Sequence, residues 1–269
     1  MVCWKILRQR GTDMNKIPIL ETIGLDEKGI ISPNIILDDC DKLPKHIDTA
    51  VMLFDGHPDE ELLKDAKPLF RFVGASYRLQ QYLYKDSIVL AYAPLGSAAA
   101  GGLLEELIAI GVKKIIACGS SGLIGDFDPK DILLVSKAIR DEGLSYHYME
   151  PSLYVDTDKE LNKVIEAKLQ KRNITFKEGI AWTTDAFYRE TKSRIDIRKQ
   201  QGAVAVEMEC AGMAAVSKFR NTQFSQILYF SDIVNQEAWS GFLTQRRSIK
   251  DIVNKIVVDI AMELSEEEE

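Results

Sequence analysis

Short, nearly continuous apolar runs recur along the chain, separated by polar breaks marked with glycine and proline. As strands they are Ala50–Phe54, Leu69–Val73, Ile88–Ala93, Lys114–Cys118, Ile132–Val135, Gly179–Trp182 and Gln226–Phe230. Several of these runs lack polar alternation, which predicts strands covered on both faces. Between them the apolar spacing changes to three and four. Ala98–Ile110 places Leu103, Leu104, Leu107 and Ile108 on one helical face and stops at Gly111, a glycine position that ends helices. Asp158–Lys171 reads as a polar-rich helix and Glu207–Phe219 as one dense in small residues. The last segment carries an amphipathic stripe of Ile249, Ile252, Val253, Ile256, Val257, Ile260 and Leu264. This alternation predicts an α/β sandwich around a mostly parallel sheet, mixed at its edge. No repeat or linker interrupts it, so one domain is expected over residues 1–269, with its core at about 45–264 and an acidic tail at 265–269.

Composition narrows the partners. The 34 Lys+Arg and 41 Asp+Glu leave a net charge of −7, and Glu266–Glu269 hold four of the acidic charges. No basic cluster exists beyond scattered pairs such as Arg246-Arg247, which argues against nucleic acid as a partner. No run approaches the roughly 18 apolar residues of a membrane span, and residues 1–16 lack a long apolar stretch behind Lys5, Arg8 and Arg10. A cytoplasmic protein without membrane contact is expected. Cys3, Cys40, Cys118 and Cys210 form no CxxC pair, and His46, His57 and His147 are dispersed, so neither a disulfide framework nor a metal site is expected.

Four motifs carry possible chemistry. Gly96-Ser97-Ala98-Ala99-Ala100-Gly101 has the Gly-x4-Gly spacing of a phosphate loop, but Gly102 and Leu103 follow where Lys and Ser/Thr are required, which excludes a nucleotide-triphosphate site. What remains is a strand turning through Gly96 into a helix N-terminus, whose free N–H groups suit an anion or polar ligand. Cys118-Gly119-Ser120-Ser121-Gly122 reads as a second glycine turn after a strand, and two such turns beyond neighbouring strands could line one pocket. Because it is not GxSxG and no His follows His147, a Ser-His-acid hydrolase is disfavoured. In Val206-Glu207-Met208-Glu209-Cys210, helical spacing would point Glu207 and Glu209 to nearly opposite sides. One of them at a helix start could accept two hydrogen bonds from a vicinal diol. Finally, Tyr229-Phe230-Ser231-Asp232 ends a strand in an acid that could serve as general acid or as a helix cap.

In this order the motifs resemble the nucleoside phosphorylase superfamily of purine nucleoside phosphorylases, uridine phosphorylases and related nucleosidases. The resembling blocks are residues 96–125, 131–148, 182–191, 204–216 and 230–233, with VEMECAG the most specific. The resemblance implies a single-domain three-layer sandwich whose central mixed sheet is partly barrel-like and flanked by helices, assembled as a dimer, trimer or hexamer. It also implies cleavage of an N-glycosidic bond through a transition state of oxocarbenium character. Carried over by motif, Glu209 holds the ribose hydroxyls, Met208 packs under the sugar, Phe187 stacks on the base, and Asp232 assists the departure of a purine. Gly96, Gly119 and Ser120 would surround the phosphate and ribose. A pentosyltransferase results, with inorganic phosphate as co-substrate and no cofactor. Two phosphate-binding arginines of the family are replaced: Asp55-Gly56-His57-Pro58-Asp59-Glu60-Glu61 has acids where one belongs, and Ala117 stands at the other. Each such charge-assisted contact is worth about 1.5–3 kcal/mol. Arg140 and Arg189 are the candidate substitutes. A hydrolytic nucleosidase, with Glu60 or Glu61 placing water, and a nucleoside-binding protein without turnover are the alternatives.

Overall fold

A computed structural model of the chain describes residues 17–37, 42–55, 58–234, 239–241 and 246–267. His57, Cys3, Cys40 and the first sixteen residues lie outside these, as does the end of the acidic tail. The strands are β1 (Thr49–Leu53), β2 (Ala66–Val73), β3 (Arg78–Tyr84), β4 (Ile88–Tyr92), β5 (Lys114–Leu123), β6 (Ile132–Asp141), β7 (Tyr154–Asp156), β8 (Phe176–Thr184), β9 (Ala203–Glu207), β10 (Gln223–Val234) and β11 (Trp239–Gly241). The longer helices are α1 (Ser97–Ile110), α2 (Lys159–Lys171), α3 (Lys192–Gln200), α4 (Cys210–Phe219) and α5 (Arg246–Glu266).

All eleven strands join one mixed sheet in the order β11-β10-β6-β8-β9-β5-β1-β4-β3-β2, with β7 on β6 and a further pairing of β10 with β5. That pairing closes β5, β10, β6, β8 and β9 into a ring, and β1, β4, β3 and β2 continue from it as an open wing. Strand β5 makes the closure possible. Its first half lies between β1 and β10, whereas at Gly122 and Leu123 it has exchanged β1 for the antiparallel β9. The expected glycine turn at residues 118–122 is therefore strand, and the expected strand is twice as long. Glycine serves here as room for curvature: a Cβ on Gly119 would lie 3.2 Å from Phe54 Cβ, and one on Gly122 would lie 2.8 Å from Val234 Cγ2.

Alternation sorts the strand residues into two cores. Ala50, Met52, Ile115 and Ala117 pack with α1 and α4 on one face, and Val51, Leu53, Ile116 and Cys118 pack with α2 and α5 on the other. This is the expected three-layer arrangement. In α5 the buried stripe is Val253, Val257, Ile260, Ala261 and Leu264, while Ile252, placed on it by spacing, is exposed. The segment expected to be helical from Glu207 starts only at Cys210, because the alternating Ala203–Glu207 run pairs as strand with β8. Among the described residues, no helix is long and apolar enough to cross a membrane.

Candidate active site

The junction of β9 with α4 is built around two buried glutamates. Glu207 ends β9, and its carboxylate accepts hydrogen bonds from the N–H groups of Glu209 (2.8 Å) and Cys210 (2.7 Å) and from the Thr183 hydroxyl. It thereby does the work of an N-cap for α4. Because the intervening chain is a turn and not a helix, Glu209 is not thrown to the opposite side. Its Oε1 accepts the N–H of Gly96 at 2.6 Å, and the Ser97 hydroxyl donates to the Met208 carbonyl at 2.8 Å. Gly96 stands at φ +90° at the start of α1, a conformation that costs a side-chain-bearing residue about 1–2 kcal/mol. Two helix starts are thus tied together across 113 residues, and Glu209 sits at the tie.

Burial raises both carboxyls above the ordinary carboxylate range, and the negative neighbours Glu207 and Asp185 push Glu209 further. Such perturbation is concentrated where polar groups are held ready for a ligand.

Asp232 lies on β10, which runs on through the expected end at Phe230. The register slips between Phe230 and Asp232, so Ser231 is the extra residue of a β-bulge that re-aims the acid. The Ser231 hydroxyl donates to Asp232 Oδ1 at 2.6 Å. Asp232 pairs with Gly122, and Gly122 with Val206. Two inter-strand steps of about 4.8 Å therefore separate the Asp232 and Val206 positions, and the residue between them has no side chain.

Glu190 is the residue that sequence reasoning missed. It follows the single 3-10 turn Phe187–Arg189, and burial together with the Asp232 charge raises its carboxyl to about 7. Forty-two residues separate the two acids, so no local spacing signals the pair. Phe187 is 47% exposed, and its ring lies 4.0 Å from that of Tyr188, forming an aromatic surface beside the acids.

The expected phosphate ligands fare differently. Arg140 is buried, and its guanidinium donates to Ser145 Oγ (2.9 Å), Ser152 Oγ (2.7 Å) and the carbonyls of Glu150 (2.6 Å) and Met149 (3.3 Å). It braces the 145–152 segment with four of its five N–H donors, which leaves a single N–H and so no pair for the bidentate anion clamp expected of it. Arg189 is exposed at the 3-10 turn. Ser120 is half-buried in β5 opposite Tyr229, and Gly119 lies in the same strand. Ala117 is fully buried. Glu60 and Glu61 are exposed on a single helical turn capped by Asp59, with Glu61 paired to Lys64, an unsuitable setting for holding a water. Asp55 is committed to Lys250 of α5 at 2.7 Å.

The family model described as "Phosphorylase superfamily" matches residues 48–259. Among curated proteins, the DeoD-type purine nucleoside phosphorylase of Mycoplasma genitalium is 28% identical over 213 residues, which cover 74% of this chain and 88% of that protein. For three other curated relatives the matched stretch covers 62% to 69% of their length. Among solved structures, the 5'-methylthioadenosine/S-adenosyl homocysteine nucleosidase of Campylobacter jejuni superposes with a TM-score of 0.67 at 20% identity, covering 81% of this chain and 99% of that one. Purine nucleoside phosphorylase from Toxoplasma gondii, solved with immucillin-H, gives 0.66 at 17% identity, covering 84% and 98%. At such identities the likeness is one of fold.

Proposed function

The chain belongs to the phosphorylase superfamily, and from that membership we propose that it cleaves the N-glycosidic bond of a purine nucleoside with water as the acceptor. The observation that carries the choice of acceptor is electrostatic. Glu209, Glu207, Asp185, Glu190 and Asp232 crowd the site: burial raises Glu190 and Glu209, and the Asp232 charge pushes Glu190 further as Glu207 and Asp185 push Glu209. A phosphate dianion would add to that repulsion, and the buried arginine expected to offset it is spent on backbone carbonyls. Water brings no charge.

In this reading the Glu209 carboxylate takes the ribose hydroxyls, Met208 packs under the sugar and Phe187 stacks on the base. Glu190, raised to about 7 by burial and by the Asp232 charge, keeps its proton near neutral pH. As the C1′–N bond breaks, its electron pair goes to the base, and that proton passes to a base nitrogen. The leaving group is then neutral, which lowers the barrier in the transition state more than in the ground state. A water oxygen bonds to C1′ and gives up its proton to the carboxylate cluster, so free pentose and base result.

Phosphorolysis is the second reading, favoured by the name of the Mycoplasma relative. Incubation with purine nucleosides, with and without inorganic phosphate, separates the two. Free ribose at a rate indifferent to phosphate supports hydrolysis. Ribose 1-phosphate formed only with phosphate refutes it, and release of no base at all refutes both.

A further inference from the structure

On the face of the sheet that carries α1 and α4, a cleft of about 650 Å³ is lined by Gly102, Glu105 and Glu106 of α1 and Phe219 of α4. Glu106, on its floor, stands ten residues along α1 from Gly96, or about 15 Å at 1.5 Å per residue. Aromatic rings make the walls. Phe72 and Tyr77 are stacked with centroids 5.2 Å apart, and Tyr148 meets Phe219 edge-on at 5.5 Å. The segment from Gly24 to Pro33 forms the rim.

Two adjacent glutamates on this floor differ sharply. Glu105 is fully engaged: Arg220 grips it through Nε and Nη2, and the Tyr148 hydroxyl donates to it at 2.9 Å. Glu106 is 7% exposed, lines the cleft, and takes part in no hydrogen bond or ion pair among the described residues. An unpartnered buried carboxylate is costly, and nothing in the fold of α1 requires a glutamate at that position. Burial alone pushes its carboxyl up to about 7.

We propose that this cleft binds a small organic cation with a flat apolar body, an aryl-alkyl ammonium or aryl amidinium, its charged nitrogen meeting the Glu106 carboxylate and its ring lying against the aromatic walls. The cation supplies the donors that Glu106 lacks, and the ring faces favour it further. The other ionisable groups around the cleft are Glu27 from the rim, Tyr77, His147, Tyr148 and the Glu105–Arg220 pair. Because Arg220 is neutralised by Glu105, it does not compete with the ligand for Glu106. The site is separate from the catalytic cleft, and its occupancy does not depend on the reaction assigned above.

The test is isothermal titration of the full chain with phenethylammonium, benzamidinium and, as a neutral isostere, phenethyl alcohol, at pH 6, 7 and 8. Both cations are expected to bind at least ten times more tightly than the alcohol at pH 8. Because the cation prefers ionised Glu106, whose carboxyl titrates near 7, cation affinity should rise about tenfold from pH 6 to 8, with about half of the ionisation complete at pH 7. Glu106→Gln, nearly isosteric, should abolish both the charge preference and the pH dependence while retaining its circular dichroism spectrum. Tyr77→Ala should weaken all three probes, the two cations more than the alcohol. Equal affinity for cation and alcohol overturns the proposal, as does unchanged cation binding in Glu106→Gln or heat only at tens of millimolar, an adventitious additive only. Should Glu106→Gln fail to fold, saturation-transfer NMR on the unsubstituted chain decides: absence of transfer to the phenethylammonium ring refutes the site.

Discussion

Replacing Glu207 with alanine tests the reasoning at the β9–α4 junction most directly. The carboxylate receives two backbone N–H groups, those of Glu209 at 2.8 Å and Cys210 at 2.7 Å, besides the Thr183 hydroxyl. Glu207, Glu209 and Cys210 are all 5% exposed or less, so solvent cannot replace the lost acceptor. At about 1–3 kcal/mol for each stranded donor, the two N–H groups alone cost about 2–6 kcal/mol. Removing a buried carboxylate that repels Glu209 returns part of this, leaving a net loss of about 2–4 kcal/mol. For a chain of this size, about 2–4 °C per kcal/mol gives a fall in melting temperature on the order of 4–16 °C. Glu207→Gln keeps an oxygen acceptor for both N–H groups and should melt within about 2–4 °C of the parent, a loss of no more than about 1 kcal/mol. The sign of the pH effect follows from burial. A carboxyl whose folded pKa is raised contributes fully at pH below its unfolded value and loses that contribution as pH rises. The parent should therefore lose stability from about pH 5 upward relative to Glu207→Gln. Thermal unfolding of the three proteins at pH 5 and 8, followed by circular dichroism, makes the comparison. If Glu207→Ala melts with Glu207→Gln at both pH values, the carboxylate is not the cap of α4 and the account of how Glu209 is placed falls.

Further outcomes follow from the same geometry. Asp232→Asn should lower kcat by about 10²–10⁴-fold with little change in KM, measured by release of base; a change in KM alone would show that the residue binds without assisting departure. Since the Glu190 carboxyl is raised to about 7, it is protonated below that pH and ionised above, so activity should decline as pH rises past 7, and Glu190→Gln should remove that limb from the pH–rate profile. A profile unchanged by the substitution would detach Glu190 from the reaction. Gly122→Ala would bring a Cβ to 2.8 Å from Val234 Cγ2 and 3.0 Å from Val206 Cγ1, an overpacking that costs about 1–3 kcal/mol. Thermal unfolding should show the loss, and an unshifted midpoint would mean that the ring of strands is not tightly closed there.

The sequence by itself determined the layers and the motif residues. Unbroken apolar runs such as Ala50–Leu53 identified buried strands because strands covered on both faces need no polar alternation. The three-and-four spacing of Ala98–Ile110 and of the last helix identified their elements for a similarly local reason, although Ile252 shows that a stripe's edge depends on what lies opposite. The VEMEC motif located Glu209, but helical periodicity misread its relation to Glu207, since the turn between them breaks the period. Tertiary structure alone decided the rest. Whether residues 118–122 were turn or strand depended on β10 and β9, more than eighty residues away, arriving to pair with them. The use of Arg140 depended on carbonyls of a later segment folding back over it. The pairing of Glu190 with Asp232, and the isolation of Glu106 on the floor of a cleft, are matters of burial and distance between elements, and these are set by how the sheet closes and not by any spacing along the chain.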